Sequence, residues 1–209
     1  MQAQELDALR PAEGESLVFD TNPVLNERPT HYCPGCHHGI AHRLVSEVLH
    51  ELGVAERTIL VASVGCATFT YDYFNVDGLE APHGRACAVA TGVRRARPDA
   101  VVFTYQGDGD MAAIGMAEIM AQLDGVAYSA RCSLDSVKHV RESKKAMRKA
   151  FEVQVQGLGF GFIELLSGCP TNWHLDPSAA NKRIAEAMMP VFPLGVYKDV
   201  TASVEADHA

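Results

Sequence analysis

Residues 101–110 read Val-Val-Phe-Thr-Tyr-Gln-Gly-Asp-Gly-Asp. An apolar, β-branched run that stops at two glycines alternating with two aspartates predicts a strand ending in a tight turn. Behind it, Met111, Ile114, Met116, Ile119 and Met120 recur at helical spacing. Strand, glycine turn and helix is the arrangement in which α/β folds take ligands, outside the carboxyl ends of the strands. Glycines let a ligand approach the backbone, and aspartate oxygens suit Mg²⁺, which binds through one or two carboxylates and substrate phosphates. These residues point to a diphosphate held through a divalent metal by Asp108, with Gly107 and Gly109 beside it. The alternative is an ordinary Asp-Gly turn.

Cysteines supply the second chemistry. Cys33-Pro-Gly-Cys36 precedes an amphipathic pattern of Ile40, Leu44, Val45, Val48, Leu49 and Leu52, closed by Gly53. A thioredoxin-type thiol pair needs a strand leading into the motif, and Thr30-His31-Tyr32 is a poor one. A zinc ribbon needs a second Cys-x-x-Cys, and the sequence has none. Two more cysteines fall after β-rich segments: Cys66 follows 58–64 and Cys169 follows 160–167. Four thiols on loops that can share one rim fit a [4Fe–4S] cluster better than zinc, with burial as small hydrophobes the bland alternative. Cys87 and Cys132 read as packing residues.

A third feature is His83-Gly84-Arg85, which opens a short helix over 86–96. Cations and free backbone N–H groups at a helix start make an anion site; an Arg paired to a surface carboxylate is the competing reading.

The elements that must position these groups alternate. Strands over 58–64, 101–105, 126–134 and 160–167 interleave with helical patterns over 40–52, 86–96, 111–122, 136–154 and 177–189. This predicts an α/β fold, a doubly wound, mostly parallel sheet with an iron–sulfur loop region at its rim. Tyr71, Tyr73 and Phe74 read as core. The tail, with Pro190, Pro193 and Gly195, is not expected to form regular structure. Lys138, Arg141, Lys145 and Arg148 share one helix face, solvated or docking an acidic partner. The expected organisation is an N-terminal arm or tail over 1–28, one domain over 29–199 and a C-terminal tail over 200–209. The 209 residues, 47% of them hydrophobic, suffice for one core. A net charge of −8, from 18 basic and 26 acidic residues, excludes a nucleic-acid surface. With no apolar run of membrane-spanning length and no signal-peptide pattern, the expected location is cytoplasmic, with no membrane partner.

Five motifs in order then carry a resemblance. Cys33-Pro-Gly-Cys36, Ser63-Val-Gly-Cys66, Ala81-Pro-His-Gly-Arg85, Tyr105-Gln-Gly-Asp-Gly-Asp110 and Cys169-Pro-Thr-Asn-Trp173 resemble the β subunit of 2-oxoacid:ferredoxin oxidoreductases, of the 2-oxoglutarate or branched-chain type. The resemblance implies a thiamine diphosphate-binding fold. It implies that Cys33, Cys36, Cys66 and Cys169 ligate a [4Fe–4S] cluster and that Asp108 holds Mg²⁺. Gly65, Cys66, His83, Gly84, Arg85, Gly107 and Gly109 would line the cofactor. The implied reaction oxidatively decarboxylates a 2-oxoacid to an acyl-CoA and CO₂, with electrons passing through the cluster to ferredoxin. An α subunit, which would carry the general acid, is the implied partner, with γ and ferredoxin-like δ subunits in some assemblies.

Two departures stand out. His37 replaces the glycine of the commoner Cys-Pro-Gly-Cys-Gly-His form, a change expected to strain the turn slightly. More seriously, the Asn-Asn pair that supplies a second Mg²⁺ ligand in thiamine diphosphate enzymes is missing: 111–122 runs through Leu123-Asp124-Gly125 into the next strand. A strand–loop–helix unit is therefore expected to be absent between 122 and 123. This leaves a second reading, a cluster-binding electron-transfer subunit without thiamine diphosphate, and a third, a zinc-stabilised binding module.

Overall fold

The computed structural model of the chain describes residues 14, 16, 22–111 and 116–202. Most of the expected arm, and residues 203–209 of the tail, lie outside the described residues. The end of the arm packs on the domain: Val24 is buried, and Leu25 bridges Phe74.

Helix α1 (His38–Glu51) buries Leu44, Val45, Val48 and Leu49, the stripe its periodicity foretold. Burying each such aliphatic side chain contributes about 1.5–3 kcal/mol. Strands β1 (Thr58–Ala62), β2 (Asp77–Glu80) and β3 (Val101–Tyr105) form a parallel sheet in the order β2-β1-β3. Helix α2 (Ala86–Ala96) links β2 to β3. After β3 come two short helices, α3 (Asp108–Met111) and α4 (Met116–Ala121). Strand β4 (Val126–Ser133) is buried along its whole length. It pairs in parallel with β5 (Phe160–Leu166) through α5 (Val137–Val155), whose N-cap Ser136 accepts a hydrogen bond from the His139 N–H. Helices α6 (Pro170–Trp173) and α7 (Pro177–Arg183) follow, α7 running into a π-type turn at Ile184–Met188. Strand β6 (Gly195–Asp199) closes the second sheet, order β5-β4-β6.

The α/β class and the parallel core are as expected, with three differences. The proline-rich tail does form regular structure: β6 runs antiparallel to β4, beyond Pro193, where no ring interferes with the ladder. Strand β2 is mostly exposed and has no apolar run, so periodicity could not reveal it. The ladder also divides into two three-stranded sheets. The break falls between β3 and the β4–β5 pair, and the chain between them includes the 122–125 stretch where a unit was expected to be absent. One core cluster still bridges it. Val101 and Phe103 from β3 meet Met147 and Phe151 from α5 and Ile163 and Leu165 from β5, with the Phe103 and Phe151 rings edge to face at 5.7 Å.

Candidate active site and thiol cluster

Loops following β1, β2 and β3 meet at one rim. Ser63 ends β1 fully buried, and Cys66 beyond it is exposed. After β2, Ala81 donates its N–H to the Ala62 carbonyl at 2.9 Å, placing residues 82–85 beside the first loop. After β3, residues 106–110 turn into α3, with the Asp110 N–H donating to the Gly107 carbonyl at 3.1 Å. A Cβ added at Gly65, Gly107 or Gly109 would meet no atom within 4 Å. Three of the four sequence-predicted site glycines thus border open space of the kind a close-lying ligand needs.

Asp110 joins the loops. Its side chain is 1% exposed. Its Oδ1 accepts from the Gly84 N–H at 2.6 Å and lies 2.9 Å from His83 Nδ1, while Oδ2 accepts from Gln106 Nε2. Burial pushes the Asp110 carboxyl up, but the Gly84 N–H, Gln106, Ser63 and nearby His83 together hold it below the usual carboxylate range. The Gly84 N–H is therefore committed to protein and does not point outward, which corrects one element of the expected anion site. Gly84 sits at φ +70°, a conformation that aims its N–H at Asp110 without a Cβ penalty. Arg85 is exposed at the N-cap of α2. Asp108 begins α3.

Cys87, expected as packing, is instead exposed on α2, and its thiol donates to Gln106 Oε1 at 3.1 Å. Gln106 thus contacts both Asp110 and Cys87. Neither role had a sequence signal, because each depends on α2 lying against the end of β3. Cys132 is buried, as expected.

The thiols gather on the Cys-x-x-Cys side. The Cys36 N–H closes onto the Cys33 carbonyl at 3.1 Å, with Gly35 between them at φ +76°. A Cβ at Gly35 would strike the Pro177 ring, its Cβ 2.8 Å away, so this turn presses directly on the start of α7. His37 completes the join. It is 5% exposed; its Nδ1 accepts from the Gly168 N–H at 3.1 Å, and its Nε2 bonds Asn181 Oδ1 at 2.8 Å. The first bond makes Nδ1 the acceptor, so the proton sits on Nε2. Burial lowers the His37 pKa, in keeping with a neutral ring. The expected strain is not found, since His37 has φ −85°. The ring instead fastens the residue after Cys36 to the residue before Cys169.

Cys36 accordingly lies among the other three. Burial raises its thiol pKa, the His38 N–H opposes this, and Cys33, Cys169 and Cys66 raise it further. Among the described residues no three His, Cys, Asp or Glu side chains converge on a single-ion position.

An aromatic cluster links the helix behind Cys36 to the strand that leads into the glycine turn. Tyr32 stacks on His38 at 4.5 Å, and His38 Nδ1 shares a 2.8 Å hydrogen bond with the hydroxyl of Tyr105, the residue before Gln106. His42 lies behind them, 5.2 Å from Tyr32 and 4.8 Å from Tyr105. Burial holds His38 down to about 4 and His42 to about 3, so both are neutral at physiological pH. Tyr73 and Phe74 are buried here as core, as their cluster predicted.

The basic stripe on α5 is only partly free. Arg148 pairs with Glu51 of α1, and Lys144, outside the stripe, bonds Glu47 and Glu51 at 2.6 Å each. Arg141 and Lys145 remain exposed.

Comparison with known proteins follows the same lines. Residues 62–126 match the family described as thiamine pyrophosphate enzyme, C-terminal TPP binding domain. That span contains the loops after β1, β2 and β3. The chain is 34% identical over 246 residues to ketoisovalerate oxidoreductase subunit VorA of Methanothermobacter thermautotrophicus, covering 90% of this chain and 52% of that protein. It is 41% identical over 88 residues to 2-oxoglutarate synthase subunit KorB of Methanocaldococcus jannaschii, covering 42% of this chain and 33% of that one. The chain therefore spans about half the length of its VorA relatives. An alignment of 246 positions exceeds the chain's own 209 residues, so it opens gaps on this side. Among solved structures, 2-oxoglutarate:ferredoxin oxidoreductase from Magnetococcus marinus, with 2-oxoglutarate, coenzyme A and succinyl-CoA bound, superposes with a TM-score of 0.60 at 20% identity over 90% of each chain. That likeness shows the fold.

Proposed function

A relative of the 2-oxoacid oxidoreductase subunits that carries a thiamine pyrophosphate-binding domain, this chain is, we propose, the β part of a coenzyme A-dependent 2-oxoacid:ferredoxin oxidoreductase. The observation that carries the reading is the meeting of three strand-end loops, all inside the matched domain, around glycines that border open space. In this reading Asp108 holds Mg²⁺. Arg85 and the first-turn amides of α2 face the diphosphate, where a helix start favours negative charge. Cys33, Cys36, Cys66 and Cys169 hold a [4Fe–4S] cluster. Thiamine diphosphate, when bound, supplies carbanion-stabilising chemistry, and the protein supplies position and electrostatics. The neutral Tyr32–His38–Tyr105 cluster keeps water and mobile protons away from the space between turn and thiols. A general acid comes from an α subunit, and ferredoxin is the external electron acceptor.

The substrate we assign is a branched-chain 2-oxoacid in preference to 2-oxoglutarate. The ketoisovalerate oxidoreductase relatives match across 90% or more of the chain, whereas the 2-oxoglutarate synthase relative of M. jannaschii matches across 42%. The chain purified with its α partner is expected to reduce methyl viologen when given coenzyme A and 3-methyl-2-oxobutanoate. No reduction across a panel of 2-oxoacids, with the iron content intact, overturns the reading. A preference for 2-oxoglutarate overturns the substrate assignment alone.

The divided sheet favours one competitor, a cluster-binding subunit that does not take thiamine diphosphate. Calorimetry with thiamine diphosphate and Mg²⁺ separates the two, because the competitor shows no binding heat.

A further inference from the structure

The region of residues 106–110 contains two aspartates, and the structure gives one of them a task that nothing in the motif itself assigns. Asp110 is enclosed, with both oxygens occupied by protein donors. Oδ1 takes the Gly84 N–H at 2.6 Å and faces His83 at 2.9 Å, and Oδ2 takes Gln106. Those donors come from the β2 and β3 loops. So engaged, the side chain is only 1% exposed. Its bonds are of the charge-assisted kind, about twice as strong as neutral ones. They span 26 residues between Gly84 and Asp110. His83 is also 3.3 Å from the Val64 carbonyl, which draws the β1 loop into the same knot.

The geometry points to Asp110 as a positioning residue that locks the Gly84-Arg85 start of α2 onto the Gly107–Gly109 turn, fixing the diphosphate cradle without touching metal or cofactor. This inference rests on the thiamine diphosphate reading for the ligand, while the lock itself is a property of the chain. Removing the carboxylate frees the Gly84 N–H and lets the loop over 82–85 drift from the turn. The ligand must then order the loop as it binds, and affinity falls.

The test compares Asp110→Ala, Asp108→Asn and, as a control, Asp124→Asn in the exposed turn before β4. All are made in the chain purified with its α partner. Amide hydrogen exchange at Gly84 is measured without cofactor, and thiamine diphosphate affinity is measured by calorimetry across a Mg²⁺ titration. Asp110→Ala, which leaves no acceptor for the Gly84 N–H, is expected to accelerate Gly84 exchange at least tenfold and to weaken thiamine diphosphate about tenfold at saturating Mg²⁺. The Mg²⁺ midpoint should not move. Asp108→Asn should shift that midpoint and leave Gly84 exchange unchanged. Unchanged Gly84 exchange in Asp110→Ala overturns the lock. A shifted Mg²⁺ midpoint in that variant makes Asp110 a metal ligand and also overturns it. Absence of thiamine diphosphate binding in the unmodified protein defeats the functional reading instead, and the exchange measurement still decides the lock.

Discussion

The Gln154 side-chain amide bonds both backbone groups of Val102: its Oε1 accepts from the N–H, and its Nε2 donates to the carbonyl, each at 2.8 Å. Val102 belongs to β3, which among the described residues pairs with β1 alone, so this one side chain does locally what a neighbouring strand would do. Gln154→Ala leaves a buried N–H and C=O unpaired, each costing about 1–3 kcal/mol. Denaturant unfolding is expected to show a loss of at least about 1 kcal/mol, and Gln154→Glu a loss as well, because a carboxylate oxygen then faces the Val102 carbonyl. A neutral Gln154→Ala variant contradicts the pairing.

The His37 clasp makes a separate prediction. His37→Phe fills the same volume but presents no acceptor to Gly168 and no donor to Asn181. If the clasp holds Cys36 and Cys169 in register, the variant loses iron faster under chelator challenge than the unmodified protein. Equal rates of iron loss argue that the loops are held by the Gly35–Pro177 contact alone.

The cysteines should sort by location. Cys33→Ser, Cys36→Ser, Cys66→Ser and Cys169→Ser are each expected to lower iron content and bleach the broad absorbance near ~400 nm that thiolate-ligated clusters give. Cys87→Ser and Cys132→Ser should retain both. Full colour in Cys66→Ser removes that loop from the thiol set.

The buried histidines set a pH dependence. His42 is held from 6.5 down to about 3 by burial, then by His38 and His31, and its Nδ1 has no hydrogen-bond partner among the described residues. The unfolded chain therefore takes up a proton below 6.5 that the folded chain refuses. Stability is full above 6.5 and falls as the pH drops towards the folded value. His38, lowered to about 4, acts in the same direction. Unfolding free energies measured on the acid side of 6.5 should fall less steeply in His42→Phe. An unaltered slope refutes the assignment.

Arg131 is a core residue despite its charge, 1% exposed on β4. It donates to Glu164 at 3.0 Å, to Glu118 at 2.7 Å, to Tyr197 at 2.8 Å and to the Pro193 carbonyl at 3.1 Å, with its guanidinium over the Phe192 and Tyr197 rings. It thus fastens α4, β5 and β6 to β4. Arg131→Ala strands Glu164, which is also largely buried, and should cost about 3–5 kcal/mol, while Arg131→Met should cost less because it refills the space. Denaturant midpoints for the two variants check the order.

Much of this was legible in the chain itself. The strands β1, β3, β4 and β5, the stripe of α1 and the extent of α2 all follow from periodicity and local backbone chemistry, interactions between residues a few positions apart. The candidate site residues were legible for the same reason, since glycines, aspartates and cysteines at strand ends announce their chemistry by type and spacing. Strand β6 and the exposed β2 were not, because their pairing comes from partners distant in sequence. The basic stripe misled in part, because only packing against α1 shows that Glu51 neutralises Arg148.

What the sequence determined alone is therefore the set of reactive groups and the elements that carry them. Tertiary structure decided how those groups are used: Asp110 is spent on Gly84 and His83, Cys87 faces Gln106, and the unexpected His37 is a clasp. It also decided that the ladder divides beside β3, with Gln154 meeting the exposed edge. Each of these depends on which donor meets which acceptor across 19 to 144 residues of chain. Local propensity does not encode such distances; the packing of the helices onto the two sheets does.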